Sequence, residues 1–532
     1  ITVNYALTNR KGVGTSADSG RFNMLAQILS ARPTGGLKLT DDELLDSAID
    51  PEMLESGESL AQVNPVKQTE SVTNTKRAEM WSGNGSISWQ IIKGLTFKTA
   101  GTYNTTNNRT NIFYKDGSKE AYRNGQKPYG RTQMGRDVRW TNFNNLTWKQ
   151  KVKKHNYDVM LGHEVSFRST EYLLGEAMDF PFDNLGNDYL GLGATPSKVE
   201  SSYSEKMLLS FFARGNYNYD NRYLLTATVR ADGSTVFSNK NKWGFFPSVA
   251  GGWLVTNEKF MESPTSVLSK LKIRGSYGLV GNDQLSGRRF AFLSTITSGT
   301  GYVYGTSGSQ TINGRFEGDF GIEDLSWETV KKTDIGIEIG LWDCINIQAD
   351  YFHEKREDIF MQRKTIPETA GFNKNPWANF GIVKNQGFDA SLEMNKSFGK
   401  DFFLSLRGNF TFSRNKILEY DESEAMKQTT RARTGNPLNT YYGLKAVGLF
   451  QEEDFKADGT LVDGIPNHTF EQVKPGDIRY EDTNHDGKVD TYDYQPIGRP
   501  SVPEIVYGFG FSARWKSFDF SAFFQGSTNV SN

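Results

Sequence analysis

The chain has 532 residues, 36% hydrophobic and 13% aromatic, with 53 glycines, a single cysteine and a formal net charge of −1. That near-neutral charge, without any basic run, excludes a nucleic-acid scaffold or a polybasic membrane binder, so no nucleic-acid partner is expected. No run of roughly eighteen or more apolar residues occurs, which excludes a transmembrane helix; a membrane β-barrel stays open, because it hides its apolar residues at every second position.

A soluble chain of this length would by default divide into roughly two to four domains. The pattern along the chain argues otherwise. Trp81, Gly83, Gly85, Ile87, Trp89 and Ile91 alternate with Ser82, Asn84, Ser86, Ser88 and Gln90. A strand displays alternate residues on opposite faces, so this is one apolar and one wet side. Leu95, Phe97, Thr99, Gly101 and Tyr103 repeat it after the turn Lys93-Gly94. The same alternation returns at Leu209–Tyr219, Tyr223–Ala231, Ile335–Leu341, Leu404–Phe412 and Ile505–Trp515. Glycine pairs within strands, such as Gly251-Gly252, are expected to allow a bend or a close backbone approach.

Connections alternate as well. Short turns are predicted at Lys93-Gly94, Lys153-Lys154, Asp220-Asn221, Trp342-Asp343, Gly399-Lys400 and Lys516-Ser517. Long polar loops are predicted at Arg10–Asn74, Tyr172–Ser202, Asp283–Ser326 and Glu419–Pro503. Outer-membrane barrels pair short periplasmic turns with long extracellular loops, so the asymmetry also orients the chain. By this rule the strand near Phe402–Leu418 runs up and the one near Glu504–Lys516 runs down. Residues 419–503, with the strand-like Tyr441–Phe450, must then be one extracellular excursion. The count is about fifteen spanning strands, beginning and ending on upward ones. A closed barrel ends on a downward strand, so residues 1–532 are expected to be a partial barrel, and Ile1, without Met or leader, reads as a processed or incomplete start. The bland alternative is a soluble β-sandwich array or β-helix. Against it, Tyr, Trp and Phe gather near strand ends, and the opposite face carries Lys, Arg, Asp and Gln, as a wet lumen would.

An ordered set of segments resembles the SusC-like (SusC/RagA) TonB-dependent outer-membrane transporters of Bacteroidetes-type bacteria. It comprises Asn9–Gly14, Asp41–Leu45, Tyr219–Ser234, Trp243–Trp253, Trp327-Glu-Thr, Thr333–Gly336, Asn379–Gly381, Asn385–Asp389, Gly435-Asn-Pro437, Pro475-Gly-Asp477 and Phe523–Gly526. The resemblance implies an all-β, 22-stranded transmembrane antiparallel barrel with a plugged lumen. It also implies strands, a plug domain, a TonB box and a signal peptide before Ile1, and closing strands after Asn532. The implied function is active import of oligomeric nutrients, glycans or oligopeptides, with a SusD-like surface lipoprotein as lid. Energy would come from the TonB-ExbB-ExbD complex, and outer-membrane lipid would surround the barrel. A passive porin or surface adhesin is the alternative.

Residues 482–493 fit a calcium-loop template. Asp482, Asn484 and Asp486 occupy positions one, three and five, Gly487 six, the Lys488 carbonyl seven and Asp490 nine. Asp493 stands at twelve, where a bidentate Glu is usual. The expected role of Ca²⁺ is structural, pinning the loop; the alternative is a solvated acidic turn. Trp377, Tyr441 and Tyr442 are candidate sugar-stacking aromatics, with loop packing as the alternative. The five histidines (His155, His163, His353, His468 and His485) have no zinc-ligand spacing, and pairs such as Asp41-Asp42 and Glu452-Glu453 read as solvated charges. Cys344 cannot form an internal disulfide. Nothing in the sequence asks for an enzyme.

Overall fold

In a computed structural model of the chain, residues 2–13, 28–29, 40, 65–116, 118, 120–121, 127–183, 186–261, 267–285, 288, 290–299, 303–304, 310–311, 314–372 and 374–531 are described. Fifteen strands form one sheet whose spatial order follows the chain. They are β1 (Thr2–Val13), β2 (Val72–Ile92), β3 (Leu95–Tyr114), β4 (Tyr129–Val152) and β5 (His155–Met178). Next come β6 (Thr195–Tyr219), β7 (Tyr223–Ser234), β8 (Trp243–Leu254), β9 (Leu268–Asn282) and β10 (Glu328–Leu341). The last are β11 (Ile345–Gln362), β12 (Trp377–Phe398), β13 (Phe402–Glu419), β14 (Ile505–Trp515) and β15 (Phe518–Thr528). The predicted all-β antiparallel architecture and its fifteen strands are both present. Asp41–Leu45 and Gly14 lie outside the described residues.

The tight turns form where the sequence placed them. Asp220 and Asn221 both take φ of 53°, and Trp342 and Asp343 take 52° and 55°. Two successive left-handed residues match the right-handed twist of the flanking strands, which is why such turns join hairpins. Asn and Asp tolerate that conformation; Trp342 takes it at a cost of about 1–2 kcal/mol. The connection between β8 and β9 is longer, with 3₁₀ turns at Val255–Asn257 and Lys259–Met261.

Strand lengths differ from the expectation. β5 runs to Met178 and β6 begins at Thr195, so strands replace about half of the predicted loop 172–202. β1 enters the predicted loop 10–74 only as far as Val13, and most of that loop lies outside the described residues. Alternation of polarity marks only stretches with one apolar face, whereas backbone ladders also continue where it lapses, as over Tyr172–Met178, which carries apolar residues on both faces.

The chain divides into two compact units. The first comprises Ile1–Ile91, Phe97–Asn145 and His163–Leu209. In it, Tyr5 lies opposite Trp81 in the β1–β2 register, and their rings are 4.4 Å apart. Its apolar centre joins Phe113, Ala177 and Phe180, with Leu190 packed against them.

The second unit comprises Ile92–Thr96, Leu146–Gly162 and Ser210–Asn532. Its strands show a reversed burial. Ile335 on β10 is 57% exposed and Phe520 on β15 63%, and Tyr351, Phe388 and Phe509 of the same face are exposed too. Glu338, on the opposite face of β10, is buried. A soluble sandwich would bury the large apolar residues and expose the carboxylate. The reversed order fits a sheet whose apolar face meets lipid.

Gly251-Gly252 does not mark a bend. β8 pairs through both with unbroken register, and a Cβ at Gly251 would meet nothing within 4 Å. The close approach lies at Gly336, where a Cβ would stand 1.8 Å from the Asp350 carboxylate.

Candidate functional site

The polar face of the second unit is built by register. Arg274 on β9, Gly336 on β10, Asp350 on β11 and Asp389 on β12 lie in one cross-strand row. Because Gly336 has no side chain, Arg274 reaches across its strand to Asp350, Nη2 to Oδ2 at 2.7 Å. Glu338, two residues along β10, accepts from Lys270 Nζ at 2.7 Å and Lys272 Nζ at 2.8 Å. Arg274 Nε stands 3.5 Å from the same carboxylate. Three cations and two carboxylates therefore brace the wall, and their mutual pairing fixes the side chains in place. Along β7, Arg230 holds Asp232 and donates to Ser210 on β6 at 2.8 Å.

At the turn end, Arg222 ties Asp220 to the buried Glu258, at 3.0 Å from the latter. Trp253 Nε1 donates to the same Glu258 at 3.1 Å, and Lys154 Nζ donates to Asp220 at 2.7 Å. This cluster explains why the hairpin Asp220-Asn-Arg-Tyr223 carries those residue types. Farther along, Phe246 packs edge-on against Trp327 at 5.4 Å, and Gly281 leaves room for its ring.

Residues 420–504 fold as a loop with its own core. Phe450, Val473, Val489 and His468 are buried there. The His468 ring stacks on Phe470 at 4.9 Å and meets Phe450 edge-on at 5.4 Å. The predicted strand over 441–450 resolves into two short pieces, Tyr441–Gly443 and Ala446–Leu449, each paired to a later segment of the loop. Asp421 anchors the loop. Its carboxylate accepts from the Lys364 and Thr365 amides, from the Thr365 hydroxyl at 2.8 Å, and from Arg363 at 3.0 Å. Burial alone would push this carboxyl up, but those donors outweigh it and hold it below the ordinary carboxylate range. No local pattern signals this clamp, since its partners lie more than fifty positions away.

The 482–493 segment forms a turn closed on its own amides. Asp482 accepts from His485 N at 2.7 Å and Gly487 N at 2.9 Å, with Gly487 at φ 80°. Asn484 accepts from Asp486 N at 2.9 Å, and Asp486 from Lys488 N at 3.0 Å. Asp490 accepts from Tyr492 N, and the fully buried Asp493 accepts from Thr483 N and Asp490 N, both at 2.9 Å. Among the described residues, no group of three or more His, Cys, Asp and Glu side chains converges as a metal cluster.

The three candidate aromatics separate. Trp377 stacks on Phe360 at 5.0 Å beneath Arg288. Tyr442 donates to the Ala432 carbonyl at 2.6 Å under Arg433, and burial pushes its hydroxyl pKa up. Tyr441, paired to Ile497, keeps an exposed ring.

The sequence profile of the family described as TonB dependent receptor-like, beta-barrel matches residues 18–530. A TonB-dependent receptor of Formosa agariphila is 28% identical over 472 residues, 86% of this chain and 45% of its own length. The TonB-dependent receptor SusC of Bacteroides thetaiotaomicron is 29% identical over 393 residues, 70% of this chain and 36% of its own. The chain thus spans less than half the length of these curated relatives. The RagAB peptide importer in its closed-closed state superposes with a TM-score of 0.70 at 23% identity, covering 88% of this chain and 50% of that one, a likeness of fold.

Proposed function

Because this chain belongs to the TonB-dependent receptor-like β-barrel family, a family of outer-membrane proteins of Gram-negative bacteria and not of enzymes, we propose that it serves in active import of oligomeric nutrients, glycans or oligopeptides. The observation that carries this reading is the reversed burial: an apolar face exposed toward lipid, backed by a braced wall of Lys270, Lys272, Arg274, Glu338 and Asp350. Such a wall borders a water-filled lumen. A SusD-like surface lipoprotein closes the mouth beside the folded 420–504 loop, and the TonB-ExbB-ExbD complex supplies energy. The names of SusC and of the RagAB peptide importer support this reading by kinship and by fold respectively. Tyr441 is the aromatic left to meet a substrate; Trp377 and Tyr442 hold the loops around it.

The 482–493 loop further takes a structural calcium ion in this reading. Asp482, Asn484, Asp486, Asp490, Asp493 and the Lys488 carbonyl would hold it, supplying the hard oxygen ligands that calcium takes. The tight turn at Gly487 and the Asp482 cap on its amide support the fit.

Mild-detergent extraction of the full-length protein, followed by mass spectrometry of what co-purifies, tests the importer. A stoichiometric lid-type lipoprotein with bound glycan or peptide supports it. A full-length barrel that purifies alone and has no plug would leave a passive porin or adhesin instead.

A further inference from the structure

On the apolar, outward parity of β10 to β13, successive registers carry distinct rows. Ile335, Tyr351, Phe388 and Phe412 lie opposite one another in order across the four strands. Two residues nearer the long loops stand Thr333, His353, Gln386 and Arg414. Two further on, the row is Lys331, Lys355, Lys384 and Lys416, four lysines side by side. Like charges set directly opposite destabilise a sheet, so this row calls for an external counter-charge. Glu357 answers two of them, at 2.5 Å from Lys331 and 2.8 Å from Lys355. Among the described residues, Lys384 and Lys416 have no ion-pair partner. Both line a cavity of about 410 Å³ with Arg414, Arg499, Asn436 and Glu504, roofed by the 420–504 loop. Glu504 is occupied by Arg414 through two 2.7 Å bonds. Lys384 and Lys416 are thus left to face an anion, with Arg499, whose charge Glu504 also feels, beside them in the same cavity.

The height of the row says which anion. Lys331 lies ten positions before Leu341, which abuts the turn at Trp342. At about 3.4 Å per residue and a tilt of about 40°, it stands about 26 Å above that turn, matching the roughly 25 Å apolar band of an outer-membrane barrel. The row therefore sits at the headgroup level of the outer leaflet, above rings that meet acyl chains.

We propose that Lys384, Lys416 and Arg499 form an outward-facing seat for a phosphate of an outer-leaflet glycolipid. The neighbouring Lys331 and Lys355 add to the local field. The seat is independent of what the lumen carries.

Full-length protein, delipidated in mild detergent, is offered lipid A, dephosphorylated lipid A or phosphatidylglycerol, and retention is read by native mass spectrometry. Lipid A should be retained well above the other two. K384Q/K416Q should lower its retention roughly thirty-fold, while K384R/K416R and the turn-end control K400Q/K516Q keep it. Heat-modifiable gel mobility shows that each variant is folded. If K384Q/K416Q misfolds, the comparison of the three lipids and the arginine variant still decides. Equal retention of dephosphorylated lipid A or of phosphatidylglycerol, or wild-type retention by a folded K384Q/K416Q, overturns the proposal.

Discussion

Replacing Asp421 by Ala should release the long loop without disturbing the sheet. The Asp421 side chain is 2% exposed and receives two backbone amides, a hydroxyl and a guanidinium. Its loss leaves the Lys364 and Thr365 amides without their acceptor and Arg363 without its counter-charge. An unsatisfied buried donor costs about 1–3 kcal/mol, and these amides are only partly buried, so local opening should become easier by about 2–4 kcal/mol. In hydrogen exchange that is roughly thirty- to thousand-fold less protection at Lys364 and Thr365, spreading into 420–504 while β12 and β13 stay protected. Acid should act in the same direction. Because the folded-state pKa of Asp421 is depressed, the clamp contributes fully above the ordinary Asp value of about 3.9 and is lost as pH falls through the lower folded value. Wild-type protection should therefore be flat across neutral and mildly acidic pH and decline only below about 3.9. Unchanged protection in D421A, or wild-type loosening already near neutral pH, would refute the clamp.

Gly336→Ala should lower the temperature of heat-induced gel-mobility change by an amount equivalent to about 1–3 kcal/mol, because the new Cβ displaces Asp350 from Arg274. Gly251→Ala, facing open space, serves as the neutral comparison, and equal behaviour of the two would discount the steric argument. Chelation of calcium should speed proteolysis within 420–504 in the wild type but not further in D482N/D486N; no response to chelator leaves the loop as a self-capped turn. Tyr442→Phe should loosen the loop by about 1 kcal/mol through loss of its bond to Ala432. Tyr441→Ala should weaken substrate uptake while leaving loop proteolysis unchanged, and a loosened loop in that variant would assign Tyr441 to packing.

Local pattern was enough to specify the strands that face lipid and the turns between them. Alternation at Trp81–Ile91 or Ile335–Leu341 is a local property, and Asp220-Asn221 needs only its own φ preferences to turn. Family kinship was legible for the same reason, since hairpins such as Tyr219–Ser234 are contiguous. Other features depend on register between distant strands and emerge only once the chain is folded. Strand extensions such as Thr195–Tyr203 carry only weak alternation, because Val199 and Tyr203 are interspersed on their face with small polar residues. Gly336 and Gly251 look alike in sequence, yet only Gly336 has an Arg274–Asp350 pair crossing over it. The Asp421 clamp and the four-lysine row became visible once folding brought residues together from segments tens of positions apart. Local patterning specifies which face a side chain takes; the ladder of hydrogen bonds decides which side chain it meets.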